Sequence, residues 1–214
     1  DMSPELIDLI AADTVLGHFD RLNESMTVYE YDPVEHANQR MLLDRMNTYD
    51  YVIQHAEAIE AATSYPFDST SNEAVKSGRI NLNNYTVVDW ILGEESTTDE
   101  TLDATERSLV QAFTTNGGAL FISGSEIGYH LTSADPGFLG SVLRASYGGD
   151  DAGTYSVYGT SSAFQGLGTF HFDAQGMYDA DWPDRLATAS GSTEAVHYAT
   201  GSSAGVQYVN PADT

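Results

Sequence analysis

The sequence predicts an α/β fold: an open, doubly wound parallel sheet with β-rich additions toward its C-terminus. Three observations lead there. Two near-continuous apolar runs, "YTVVDWILG" and "ALFISG", suit parallel strands covered on both faces. Between them, "TTDETLDATERSLVQAFTTNGG" carries acidic residues near its start and Gly117-Gly118 after its end, the marks of a helix. Residues 84–131 therefore spell strand, helix, strand, helix, the repeating unit of such a sheet. Farther on, "GTYSVYGTSSAFQGLGTFHFD" and "EAVHYATGSSAGVQYV" are rich in Tyr, Gly and Ser and partly alternate, as antiparallel hairpins do.

The remaining elements follow in order. "SPELIDLIAA" places Ser3 as cap and Pro4 at the first helical position, then spaces Leu6, Ile7, Leu9 and Ile10 for an amphipathic helix. "TVLGHFDRLN" offers a stub of strand ending at Gly17, and "SMTVYEYDP" reads as an exposed strand. Two helices are expected next, over "PVEHANQRMLLDRMN" and "TYDYVIQHAEAIEAA", the second with Tyr51, Val52, His55, Ala58 and Ile59 along one face. A short helix follows in "SNEAVKSG", capped by Ser71 or Asn72 and closed by Gly78. "DPGFLGSVLRASYG" reads as helix. No repeat or linker splits the chain, so residues 1–214 are taken as one α/β domain.

Charge bounds the partners. The formal net charge is -24, and Lys76 is the only lysine. Nucleic-acid binding needs Lys and Arg to displace counterions from phosphates, so that class is excluded as an expectation. No run approaches the roughly 18 apolar residues of a membrane-spanning helix, and membrane insertion is not expected. So acidic a surface suits a protein kept soluble at high ionic strength, as in marine or other high-salt settings. The absence of cysteine removes thiol catalysis and disulfide stapling together.

Several blocks, "YDYVIQHAEAIEAA", "FDSTSNEAVKSG", "YTVVDWILGEES", "GGALFISGSEIGYHL" and "DDAGTYSVYG", carry a resemblance in their order. They resemble a domain near the C-terminus of large secreted bacterial proteins of the xanthan lyase and N-acetylmuramoyl-L-alanine amidase-like kinds. That domain is similar in outline to class I glutamine amidotransferase-like and flavodoxin-like folds. The likeness spans residues 14–209, with "SNEAV" and "SGSEIG" its more specific parts. It implies a flavodoxin-like core and an extracellular or cell-surface bacterial protein. It further implies an association with polysaccharide or envelope, or with other domains of a larger protein.

Two departures stand out: only a stub of first strand at residues 14–17, and no further strand after "AGVQYVNPADT". A fragment, or self-association through sheet edges near residues 14–17 and 204–209, is the expectation they raise.

The candidate site centres on the turn "GSEIG" after the strand 119–124. Glu126 stands where a glutamine amidotransferase would carry its cysteine, and a carboxylate cannot replace that thiolate in acyl transfer. Ser125 lies beside it, as a candidate nucleophile or ligand contact, but nothing in the sequence selects a base from His55, His130, His171 and His197. Loops after adjacent strands of an open sheet share one crevice, which gathers Glu94, Glu95 and Glu126, with His55, Asn72 and Glu73 at its border. Two such carboxylates could serve as acid and base in a hydrolase of glycan or peptidoglycan. The plainer reading is that Glu95 and Glu126 cap helix N-termini.

Asp150 and Asp151 in "GGDDAGTY" could bind calcium, although adjacent Asp residues more often fix a turn through backbone bonds. No cofactor is required. Trp182, in "DADWPD", is the aromatic expected to be exposed for ligand contact. The leading expectation is an accessory, non-catalytic module. A hydrolase centred on Glu126 and a structural domain completed by another chain are the alternatives.

Overall fold

The computed structural model describes residues 28–32, 37–41, 49–93, 95–98, 100–160, 162–172, 180 and 182–211. The chain divides into two compact units, Asp1–Tyr65 with Gly176–Asp179, and Pro66–Gln175 with Ala180–Thr214. The expected strand stub at residues 14–17 and the helix over "SPELIDLIAA" lie outside the described residues.

In the first unit, β1 (Val28–Asp32) pairs antiparallel with β2 (Ala37–Met41), in a register running from Val28↔Met41 to Asp32↔Ala37. The expected helix over "PVEHANQRMLLDRMN" is thereby corrected, because part of it is strand. Its residues favour helix locally, but pairing with β1 wins. Helix α1 (Tyr49–Ala62) forms where its apolar spacing places it.

The second unit is mixed α/β. Helix α2 (Asn72–Lys76) begins after Ser71, although no side-chain bond caps it. A single 3₁₀ turn at Leu82–Asn84 is capped by the Asn81 side chain. β3 (Val87–Gly93) and β4 (Ala119–Gly124) then pair in parallel, Val87 against Ala119 through Ile91 against Ser123. Helix α3 (Ala104–Thr115) connects them. Asp103 opens it with a capping box: its carboxylate accepts from Glu106 N–H at 2.9 Å, and Glu106 accepts from Asp103 N–H at 2.7 Å.

The same helix closes in a Schellman motif. Gly117 N–H donates to Thr114 C=O and Gly118 N–H to Phe113 C=O. Gly117 takes φ 91°, which only glycine adopts without strain. Buried Glu106 also accepts from Asn72 Nδ2 at 2.8 Å, and Lys76 lies 2.5 Å from Asp103, so the lone lysine joins α2 to the start of α3.

After β4 come α4 (Ile127–Ala134) and α5 (Pro136–Ser141), the latter capped by Asp135 with Pro136 in its first turn. The helix expected over "DPGFLGSVLRASYG" ends sooner than its pattern suggests. Arg144 turns the chain at φ 58°, and Ala145–Gly149 is strand β5. The two Tyr-, Gly- and Ser-rich segments form strands as expected, β6 (Ser156–Gly159) and β7 (Phe170–His171) in the first and β9 (Thr193–Tyr198) and β10 (Ser203–Gln207) in the second, while β8 (Arg185–Thr188) was not anticipated. These join β5 in a six-stranded antiparallel sheet of order β5-β8-β10-β9-β6-β7.

Among the described residues the parallel sheet has two strands, fewer than a doubly wound core. β10 lies between β8 and β9, so residues 203–207 are interior to their sheet and not the edge their position in the chain suggested. The main core gathers Trp90 and Leu92 of β3, Leu102, Val110 and Phe113 around α3, and Ile127, Leu131, Phe138 and Leu139 of α4 and α5. A smaller cluster of Val157, Tyr198 and Ala152 serves the antiparallel sheet. Among the described residues, no helix is long and apolar enough to cross a membrane.

Gly118 has no room for a side chain, because a Cβ would overlap the ring of Phe113, itself 1 % exposed. Gly118→Ala is therefore expected to lower unfolding free energy by about 1–3 kcal/mol, the usual cost of overpacking. Urea denaturation of the two proteins measures this.

Candidate functional site

The turn after β4 is built from close approaches. A Cβ at Gly124 would lie 2.9 Å from Leu92 Cβ and 3.2 Å from Ile127 Cγ1, so glycine lets the strand end pass between them. Ser125 N–H donates to Gly93 C=O at 2.9 Å, tying the carboxyl ends of β3 and β4 together. Glu126 follows at φ -124° and ψ 31°. A nucleophile elbow holds its apex residue in a sharp, strained turn; Glu126 is not at positive φ, where that strain would be seen.

Glu126 occupies the N-cap position of α4, but its side chain makes no capping bond. It accepts instead from the hydroxyl of Ser96, in the loop after β3. One helical turn later on the same face, His130 Nδ1 pairs with Thr101 Oγ1 at 2.7 Å. Thr101 N–H in turn reaches Ser96 C=O at 3.3 Å. Both ends of the 96–101 segment are thus sewn to α4, by residues four apart. His130 is buried, and burial, reinforced by the charge of Arg107, lowers its pKa from the ordinary value.

The helix N-terminus itself is filled from elsewhere in the chain. Asp184 Oδ2 accepts from Gly128 N–H at 2.7 Å and from Tyr129 N–H at 2.9 Å. These belong to the first four amides of a helix, which lack partners within it. The backbone reinforces the placement, since Asp184 N–H donates to Ser125 C=O at 2.8 Å and Tyr198 Oη donates to Asp184 C=O at 2.8 Å. Asp184 is 5 % exposed, and its Oδ1 is buried with no hydrogen-bond partner among the described residues. Burial pushes its pKa up to about 7; the two amide bonds pull downward, and the charges of Glu126 and Asp150 push it up further.

The residues anticipated from sequence are distributed as follows. Glu126 and Ser125 lie at the turn, and Ser125's backbone is engaged on both sides. Glu94 lies outside the described residues. Glu95 is half-buried in the loop after β3, its N–H donating to Leu92 C=O. The expectation that Glu95 caps a helix is corrected, because α3 starts at Ala104 and Asp103 caps it. Glu126 does take the expected N-cap position of α4, but the side-chain acceptor there comes from Asp184. His55 belongs to the other compact unit.

Asn72 and Glu73 sit at the start of α2, engaged with Glu106 and with Ser71. The Ser71 bond holds the Glu73 carboxyl below the usual range. Trp182 is 56 % exposed, at φ 56°. Asp150 Oδ1 accepts from Asp151 N–H, and Asp151 Oδ1 from Gly153 N–H, the turn-fixing pattern. Among the described residues, no group of three or more His, Asp or Glu side chains is arranged to hold a metal ion.

Of the histidines considered as a base, His130 bonds Thr101, His171 bonds Ser156, and His197 bonds Glu194. The residues that decide the site, Asp184, Ser96 and Thr101, were not marked by sequence. Asp184 stands 56 positions from the amide it caps, and no spacing rule spans that distance. Comparison with protein-family models, curated proteins and solved structures finds no match for this chain.

Thr101→Val keeps the shape of the loop but leaves buried His130 Nδ1 without its partner. The expected loss is about 1–3 kcal/mol, the cost of an unsatisfied buried polar group, read by chemical denaturation near neutral pH.

Proposed function

We propose that the chain is an accessory, non-catalytic module of a secreted or surface bacterial protein associated with polysaccharide or envelope. The observation that carries the non-catalytic part is the occupation of the Gly128 and Tyr129 amides by Asp184. Amides at a helix N-terminus can stabilise a developing oxyanion only where they are free to meet it. Here the Asp184 carboxyl already accepts from both, so they are not free to meet an oxyanion. Glu126, the apex residue, is likewise committed to Ser96.

The association with polysaccharide or envelope rests on the resemblance of the "SNEAV" and "SGSEIG" blocks, as does the flavodoxin-like character of the core. The high-salt setting rests on the net charge of -24. Salt would screen that self-repulsion, since the Debye length falls from about 10 Å at 0.1 M to about 3 Å at 1 M.

The test incubates the protein and its Glu126→Gln variant with xanthan, a neutral glucan and peptidoglycan sacculi, at low and high sodium chloride. Expected is binding to one or more of these polymers in affinity electrophoresis or pull-down, without release of reducing ends or peptides by either protein. The melting temperature is expected to rise with salt. Cleavage by the wild type that Glu126→Gln lacks would replace this reading with a carboxylate-dependent hydrolase. Absence of binding to all three polymers would remove the polysaccharide association.

A further inference from the structure

Asp184 joins two layers of the second unit. It directly precedes β8 of the antiparallel sheet, while its side chain and N–H bond the turn and helix that follow β4. The contact is close on both sides of Gly128, where a Cβ would lie 2.9 Å from Leu186 Cδ2 and 3.1 Å from Asp184 Oδ2. At the centre of this junction one carboxyl oxygen is buried and has no donor among the described residues. A buried ionised oxygen without a donor is costly, and a neutral carboxyl there costs much less.

The surroundings add to that cost. Glu126 faces Asp184 from the turn before α4, and Asp150 from the turn after β5, both raising its proton affinity. Tyr129 contributes its amide from α4, and Tyr198 from β9 donates its hydroxyl to the Asp184 carbonyl. Tyr147 of β5 is itself pushed up, by burial first and by the charges of Asp150 and Asp184 next. Arg185, the one cation adjoining in sequence, turns its guanidinium to the Asp150 carbonyl at 3.1 Å.

We propose that Asp184 is a proton-operated latch: one proton taken up on its carboxyl fastens the antiparallel sheet to the turn before α4, and its loss loosens that junction. The proton comes from solvent and forms a bond to a carboxyl oxygen. Oδ2 continues to accept from the two amides in the neutral state, so the bonds that define the junction survive protonation. Acid conditions therefore tighten this part of the molecule.

The sign follows from linkage. A carboxyl whose folded affinity for protons exceeds its unfolded affinity contributes stability that is fully present below the unfolded pKa. That stability is lost as pH rises through the folded value, about 7 here. His130 works in the opposite sense, because its lowered pKa means stability lost as pH falls through the unfolded value. A comparison of variants at each pH separates the two.

Thermal unfolding of the whole chain and of Asp184→Asn, from pH 5 to 8.5, provides the test. Asn keeps an acceptor oxygen for the two amides without the charge. The expected result is a higher melting temperature than wild type at pH 8.5, with the difference shrinking toward pH 5. Parallel curves across the whole range would overturn the latch. If Asp184→Asn does not fold, Glu126→Gln decides: removing the facing charge shifts the wild-type inflection to lower pH, and an unmoved inflection overturns the proposal.

Discussion

The bond between the Asp184 carboxyl and the start of α4 is the interaction on which the arrangement of the second unit depends. A helix that begins in a tight turn leaves its first amides without partners, and buried amides must find them. In most helices a residue just before the first turn supplies the acceptor. Here Glu126 holds that position but points its carboxylate to Ser96, so the acceptor arrives from the start of β8. One side chain thus satisfies a helix end and joins the antiparallel strands to the parallel pair.

The same substitution of roles explains why the turn after β4 resembles a catalytic elbow without the features of one. Gly124 and Gly128 are required by close packing, against Leu92 and Ile127 in the first case and against Leu186 and Asp184 in the second. Glycines in this pattern are what sequence motifs detect. What a motif cannot detect is the destination of the amides, and those of Gly128 and Tyr129 are already occupied by Asp184. The loop after β3, which would border an active crevice, is instead fastened down through Ser96 and Thr101.

Much of the local structure was legible in the chain. Continuous apolar runs gave β3 and β4, and acidic residues near its start with Gly117-Gly118 after its end gave α3, although the capping box between Asp103 and Glu106 was not marked. The hairpin partner β2 was not legible, because "ANQRM" has no strand pattern of its own and is strand only through its pairing with β1. Nor was the interior position of β10, since strand order depends on which neighbours meet in space. Asp184 was hidden for the same reason: in "DADWPD" the eye falls on Trp182, while the residue two places on caps a helix formed much earlier in the chain.

The central claim is that the amides at the head of α4 are occupied and not presented to a substrate. Hydrogen exchange at Gly128 and Tyr129, compared between the wild type and Asp184→Ala, tests it most directly. Amides in the first turn of a helix exchange rapidly when only water meets them. The structure predicts strong protection of both in the wild type and its loss at both in Asp184→Ala. Rapid exchange at both positions in the folded wild type would mean an open turn, and would contradict the account.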